Sequence, residues 1–130
     1  MSYIPKYILK RMFPDDSFKK VENGIEVTMI NVLSPLSVDE VPDDVMNYLE
    51  ASIDGTPVAD EDKEKIEITT GGNTYTIANA KEFAGVVIPV GGTIKVFIPC
   101  DLEEGSEHEF GINIKTEHPF LLNVKRTIMS

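Results

Sequence analysis

"FKKVENGIEVTMINVL", residues 18–33, alternates apolar and polar side chains on both sides of Asn23-Gly24. Successive strand side chains point to opposite faces, so a period of two marks a half-buried strand. Asn-Gly readily adopts the positive φ values of a tight hairpin turn. The stretch therefore predicts an antiparallel hairpin, 18–22 against 25–33, with Gly24 at positive φ.

The same device recurs outward from this hairpin. In "LEASIDGTPV", residues 49–58, Leu49, Ala51 and Ile53 share a strand face before the turn residues Asp54-Gly55. "KIEITT", "NTYTIA", "GVVIPV", "TIKVFIP", "HEFGINIKT" and "FLLNVKRTIM" follow at short intervals, broken by Gly71-Gly72 and Gly91-Gly92. That spacing predicts an all-β fold, an antiparallel β-sandwich of about eight or nine strands with one short helical turn. Its expected core is Ile25, Val27, Ile53, Ile66, Ile68, Val87, Ile94, Val96, Phe110, Ile112 and Val124, and Gly55, like Gly24, is expected at positive φ. The helical turn is expected in "VPDDVMNYLE", residues 41–50, where Pro42 suits a first helical position and Asp43 and Asp44 favour the positive end of the dipole. "DEDKEK", residues 60–65, reads as a solvated loop, and Pro89 and Pro99 as strand ends.

The chain has 130 residues, 42% hydrophobic and 26% charged, which fits one packed domain over residues 1–130. Twenty-two acidic against 12 basic residues give a net charge of −10, which repels nucleic-acid phosphates and anionic membrane surfaces. No apolar run approaches a membrane span, and the opening "MSYIPKYILKRMFPDD" is too interrupted by charge for a signal peptide, so a cytoplasmic location is expected. The single Cys100 has no neighbouring His or basic residue and reads as structural.

"DLEEGSEHEF", residues 101–110, gathers five carboxylates and His108 around Gly105. A metal needs several ligands converging at about 2 Å, and in a regular strand Glu107 and Glu109 point away from His108. The stretch reads as Leu102 inward, a turn at Gly105, then a strand with a packed or hydrogen-bonded His108. Phosphate-loop, dinucleotide, zinc-protease, redox and serine-elbow motifs are absent from the sequence. No catalytic residue, metal ligand or cofactor is therefore expected. The better candidate is "TEHPF": Thr116, Glu117, His118, Pro119 and Phe120 put an imidazole, a rigid proline and an aromatic between the last two strands, as a partner-binding loop.

Taken end to end, "IPKYILK", "FKKVENGIEVTMINVLSP", "LEASIDGTPVADEDKEKIEIT", "LEEGSEHEFGINI" and "NVKRTIM" resemble the small beta subunits of bacterial C-glycoside deglycosidases and their uncharacterised relatives. The resemblance implies a one-domain β-sandwich docked to a larger, sugar isomerase-like barrel subunit. That larger subunit carries the divalent metal and the main catalytic residues of a carbon–carbon lyase acting on oxidised C-glycosides. The acidic segment "LSVDEVPDDVMNYLEAS" departs from the family pattern, which keeps a homo-oligomer open as the partner. Two other readings compete: a free-standing module for a sugar or other small ligand, against which the lack of Trp counts, and a small enzyme using His108 or His118 with carboxylates.

Overall fold

A computed structural model describes residues 5–32, 35–37, 47, 49–114 and 120–129. Eleven antiparallel strands are present among them: β1 (Phe18–Val21), β2 (Gly24–Ile30), β3 (Leu36–Ser37), β4 (Leu49–Ile53), β5 (Thr56–Pro57), β6 (Glu67–Thr70), β7 (Asn73–Tyr75), β8 (Val87–Ile88), β9 (Thr93–Pro99), β10 (Glu107–Ile114) and β11 (Phe120–Thr127). They form a five-stranded sheet in the order β1-β2-β9-β6-β7, a four-stranded sheet β11-β10-β4-β5 and a small pair β3-β8. This is the expected all-β, sandwich-like fold.

The core lies where the inward faces of the two larger sheets meet. Phe18, Ile25, Val27 and Ile98 come from one sheet, Phe110 and Val124 from the other, and Ile128 follows β11. Phe18 is 1% exposed and Ile25 wholly buried, each contributing about 1.5–3 kcal/mol relative to an exposed side chain. The Phe18 ring sits 4.5 Å from that of Phe110 and 6.0 Å from that of Phe13. Phe13 follows helix α1 (Lys6–Met12), which sends Met12 into the same core. The expected helical turn lay at 41–50 and not here, although Ile8, Leu9 and Met12 have the spacing of one helix face and all pack on the core.

The end of β11 joins the two sheets. Met129 N–H donates to Phe18 O at 2.8 Å, and Lys20 N–H donates to Met129 O at 2.8 Å, a parallel bridge onto β1. Arg126 Nε donates to Phe13 O at 2.9 Å beside it.

Of the expected core, Ile25, Val27, Ile66, Ile94, Phe110 and Val124 are buried and Ile53, Ile68, Val96 and Ile112 half-buried. Val87 is 59% exposed, because β8 is a two-residue strand that among the described residues pairs only with β3. "NTYTIA" is a strand only to Tyr75. Thr76 N–H then donates to Asn79 Oδ1 at 2.6 Å, and the chain turns into a 3-10 helix, Ile77–Phe83. "DEDKEK" is not a plain loop. Asp60–Lys63 form one helical turn, α2, with acidic residues at its start, and Lys63 is buried with Nζ donating to Leu49 O at 2.8 Å. Of "VPDDVMNYLE", residues 41–46 and 48 lie outside the described residues, Asn47 is helical, and Leu49 and Glu50 begin β4.

The turns decide the hairpin registers. Asp54 (φ 54°) and Gly55 (φ +82°) are both left-handed, as a type I′ turn requires, and they close β4 on β5 with Ile53 opposite Thr56. The first hairpin is offset by one residue from expectation. Val21 pairs with Gly24, the loop is Glu22-Asn23, and Asn23 (φ 68°) takes the left-handed conformation. Gly24 is needed for space instead: a Cβ there would lie 2.2 Å from Ile98 O on β9. Gly55→Val should therefore lose about 1–2 kcal/mol through backbone strain. Gly24→Val should lose more, since β2 and β9 would have to separate. Urea denaturation midpoints of the two variants check the order, and a Gly24→Val midpoint at or above that of Gly55→Val would reject it.

Candidate functional site

The expected loop is only partly described. Thr116, Glu117, His118 and Pro119 lie outside the described residues, and Phe120 opens β11 opposite Ile114. Ile114 also pairs with Leu49, so the loop's two ends are placed where β4 begins.

The described polar constellation lies at the opposite end of β10. Ser106 N–H donates to Glu103 O at 3.4 Å, closing a turn with Gly105 at φ +81°. Gly105 N–H donates to Ile128 O at 2.7 Å and Ile128 N–H to Ser106 O at 2.9 Å, so two residues oppose one. This is a glycine β-bulge, a device that re-aims the side chain following the glycine. Ser106 Oγ consequently lies 2.9 Å from His108 Nε2 and also donates to Glu103 O at 2.5 Å.

The third member comes from the β4–β5 turn. Asp54 N–H donates to Glu109 O at 2.7 Å, and Glu109 N–H donates to Asp54 Oδ1 at 2.9 Å. With one carboxylate oxygen so held, the other, Oδ2, lies 2.6 Å from His108 Nδ1. An ionised carboxylate has no proton to give, so Nδ1 carries the hydrogen toward Asp54, while the single Ser106 proton points to Glu103 O and Oγ faces Nε2 with a lone pair. The His108 side chain is 19% exposed and that of Asp54 50%. The expected hydrogen-bonded His108 is thus present, and Glu107 and Glu109 are exposed. Sequence reading paired His108 with neither Ser106 nor Asp54. Asp54 is 54 residues away in the chain and carried only the signal of a turn former.

Three hydrogen-bonded groups in this order can act as a structural clasp or as a nucleophile, its base and the base's orienting carboxylate. Among the described residues no group of three or more His, Cys, Asp or Glu side chains could hold a metal ion. Cys100 packs against the core, and burial pushes its thiol up, with Lys20 opposing.

A second feature lies on the outer face of the four-stranded sheet. Ser52, Gly111 and Asn123 are in register across it, and Glu50 lies opposite Asn113. Gly111 has no side chain to fill the floor. Asp60 and Lys63 form a wall, leaving a groove of about 440 Å³.

Compared with protein-family models and with curated proteins, the chain matches none. No helix among the described residues is long and apolar enough to cross a membrane.

The clasp makes stability depend on acid. The Glu109 amide, and after it the His108 imidazole, hold the Asp54 carboxyl below its ordinary value. A depressed carboxyl stabilises the fold above its unfolded pKa, near 3.9, and loses that contribution as pH falls through the lower folded value. Asp54→Asn keeps the turn and removes the charge. Its urea midpoint should fall below that of the parent near neutral pH, and the gap should narrow at about pH 3. Equal midpoints near neutrality would show that the Asp54 charge contributes nothing.

Proposed function

We propose that the chain is an accessory β-sandwich subunit that docks to a larger barrel-type catalytic subunit, or to a second copy of itself, by its β10–β11 side. The observation that carries this reading is the place of β11, an eight-residue strand that among the described residues lies at the margin of its sheet. Asp54 N–H donates to Glu109 O, so odd-numbered residues of β10 bond β4 and even-numbered ones bond β11. By the same alternation, the backbone N–H and C=O groups of Leu121, Asn123 and Lys125 face away from β10, with Lys125 O accepting from Arg126 Nη1 at 2.6 Å. Such a row is a template for another chain, and proteins that use it alone blunt it or cover it. The resemblance to the small beta subunits of C-glycoside deglycosidases supports the same role, with the barrel subunit holding metal and substrate. The Thr116–Phe120 loop would then contribute contact surface, Phe120 as an anchor and His118 near the partner's active site.

A second reading, a module for a small polyhydroxylated ligand, has the Ser52–Gly111–Asn123 groove in its favour. It predicts that titration with sugars perturbs the amide resonances of Ser52, Gly111, Asn113 and Asn123 together. Perturbations scattered over the surface would refute it.

For the main reading, co-expression with a barrel protein encoded beside this chain, followed by size-exclusion chromatography, should return a complex. The double substitution His118→Ala with Phe120→Ala should weaken it about 30-fold, the loss of roughly 2 kcal/mol expected of an interface anchor. A chain that elutes as a monomer with and without that protein would sink the subunit role. A complex indifferent to the double substitution would sink the loop assignment alone.

A further inference from the structure

We infer that Ser106 is a nucleophile toward activated acyl groups, with His108 as its base and Asp54 as the positioning residue that holds the imidazole. The geometry meets the requirement for an activated hydroxyl: Oγ lies 2.9 Å from Nε2, and Nδ1 lies 2.6 Å from a carboxylate oxygen. The carboxylate side must receive a proton, so Nδ1 donates to Asp54, and for attack the one Ser106 proton must turn from Glu103 O to Nε2. The positioning is firm. Asp54 is fixed by its own amide and by that of Glu109, and Ser106 by the bulge against Ile128.

The surroundings set the substrate class. Gly105 N–H is engaged with Ile128 O and Ser106 N–H with Glu103 O, so neither is free to stabilise a developing oxyanion. One such donor is worth about 10²–10³ in rate, so unactivated amides and alkyl esters are out of reach. Esters with a good leaving group, such as aryl esters, need less help. The Glu103 carbonyl competes with Nε2 for the serine proton, which slows the reaction further without blocking it.

In the first step Oγ bonds to the acyl carbon, its proton passes to Nε2, and the bond from the acyl carbon to the aryloxy oxygen breaks. The phenolate leaves with the proton from the imidazolium. In the second step water, deprotonated by Nε2, attacks the acyl-serine. The Ser106 Oγ–acyl bond breaks, the carboxylic acid departs and the hydroxyl is restored. Ester and water become acid and alcohol, with no other reactant.

The test uses the full chain with p-nitrophenyl acetate and, separately, an aryl fluorophosphonate, followed by intact mass and peptide mapping. One acetyl or phosphonyl group per chain is expected at Ser106. Ser106→Ala should lose the label. His108→Gln should slow it about 10²-fold or more, the usual share of a general base. Asp54→Asn should slow it about 10- to 100-fold across the whole pH range, because an amide can donate to Nδ1 and stabilise the wrong tautomer. Circular dichroism shows which variants remain folded, and mapping on the unaltered chain does not depend on them. Label confined to lysines or tyrosines, or label at Ser106 formed as fast in folded His108→Gln, overturns the inference.

Discussion

The contact of Phe18 with Phe110 is where the two large sheets meet, and the rest of the molecule is arranged around it. Phe18 opens β1 and Phe110 lies mid-way along β10, so one aromatic pair sets the spacing between a sheet edge and the centre of the opposite sheet. Phe13 extends the aromatic column toward α1. An aromatic pair buries more area than any aliphatic contact and has preferred ring geometries, which restricts how the sheets can slide. With that spacing set, β10 is the axis of the four-stranded sheet. Its two neighbours bring Asp54, in the turn after β4, and the bulge partner Ile128, beyond β11, to the same end of the strand.

Most of the strands were legible because their apolar residues alternate and their turns contain glycine. The Asp54-Gly55 turn came out as written, since both positions adopt left-handed backbone. Asn23-Gly24 did not: the turn formed one residue earlier, and the glycine was needed to let β9 pass. Local propensity cannot separate these cases, because a glycine that turns and one that yields space have the same letter. Lys63 illustrates another limit. Its burial depends on a carbonyl at Leu49, which no window around residue 63 contains.

The Ser106–His108–Asp54 group was half legible. The Gly105 turn and the hydrogen-bonding role of His108 follow from their neighbours, but the carboxylate that completes the group does not. It is supplied by antiparallel register, which places Asp54 against Glu109. The carboxylates close by in sequence, Glu107 and Glu109, are exposed, as the alternation of a strand requires, and take no part.

The bridge from Met129 to β1 carries a kinetic consequence. Lys20 N–H to Met129 O and Arg126 Nε to Phe13 O tie residues more than a hundred positions apart, the second spanning 113. The loop they close is nearly the whole described chain, and the entropy of closure falls due before the contacts return any free energy. The hairpins β1–β2, β4–β5 and β6–β7, each closed by two residues, can form independently and early. The seam between the sheets therefore belongs to the last stage of folding and is the natural place for the sandwich to open first.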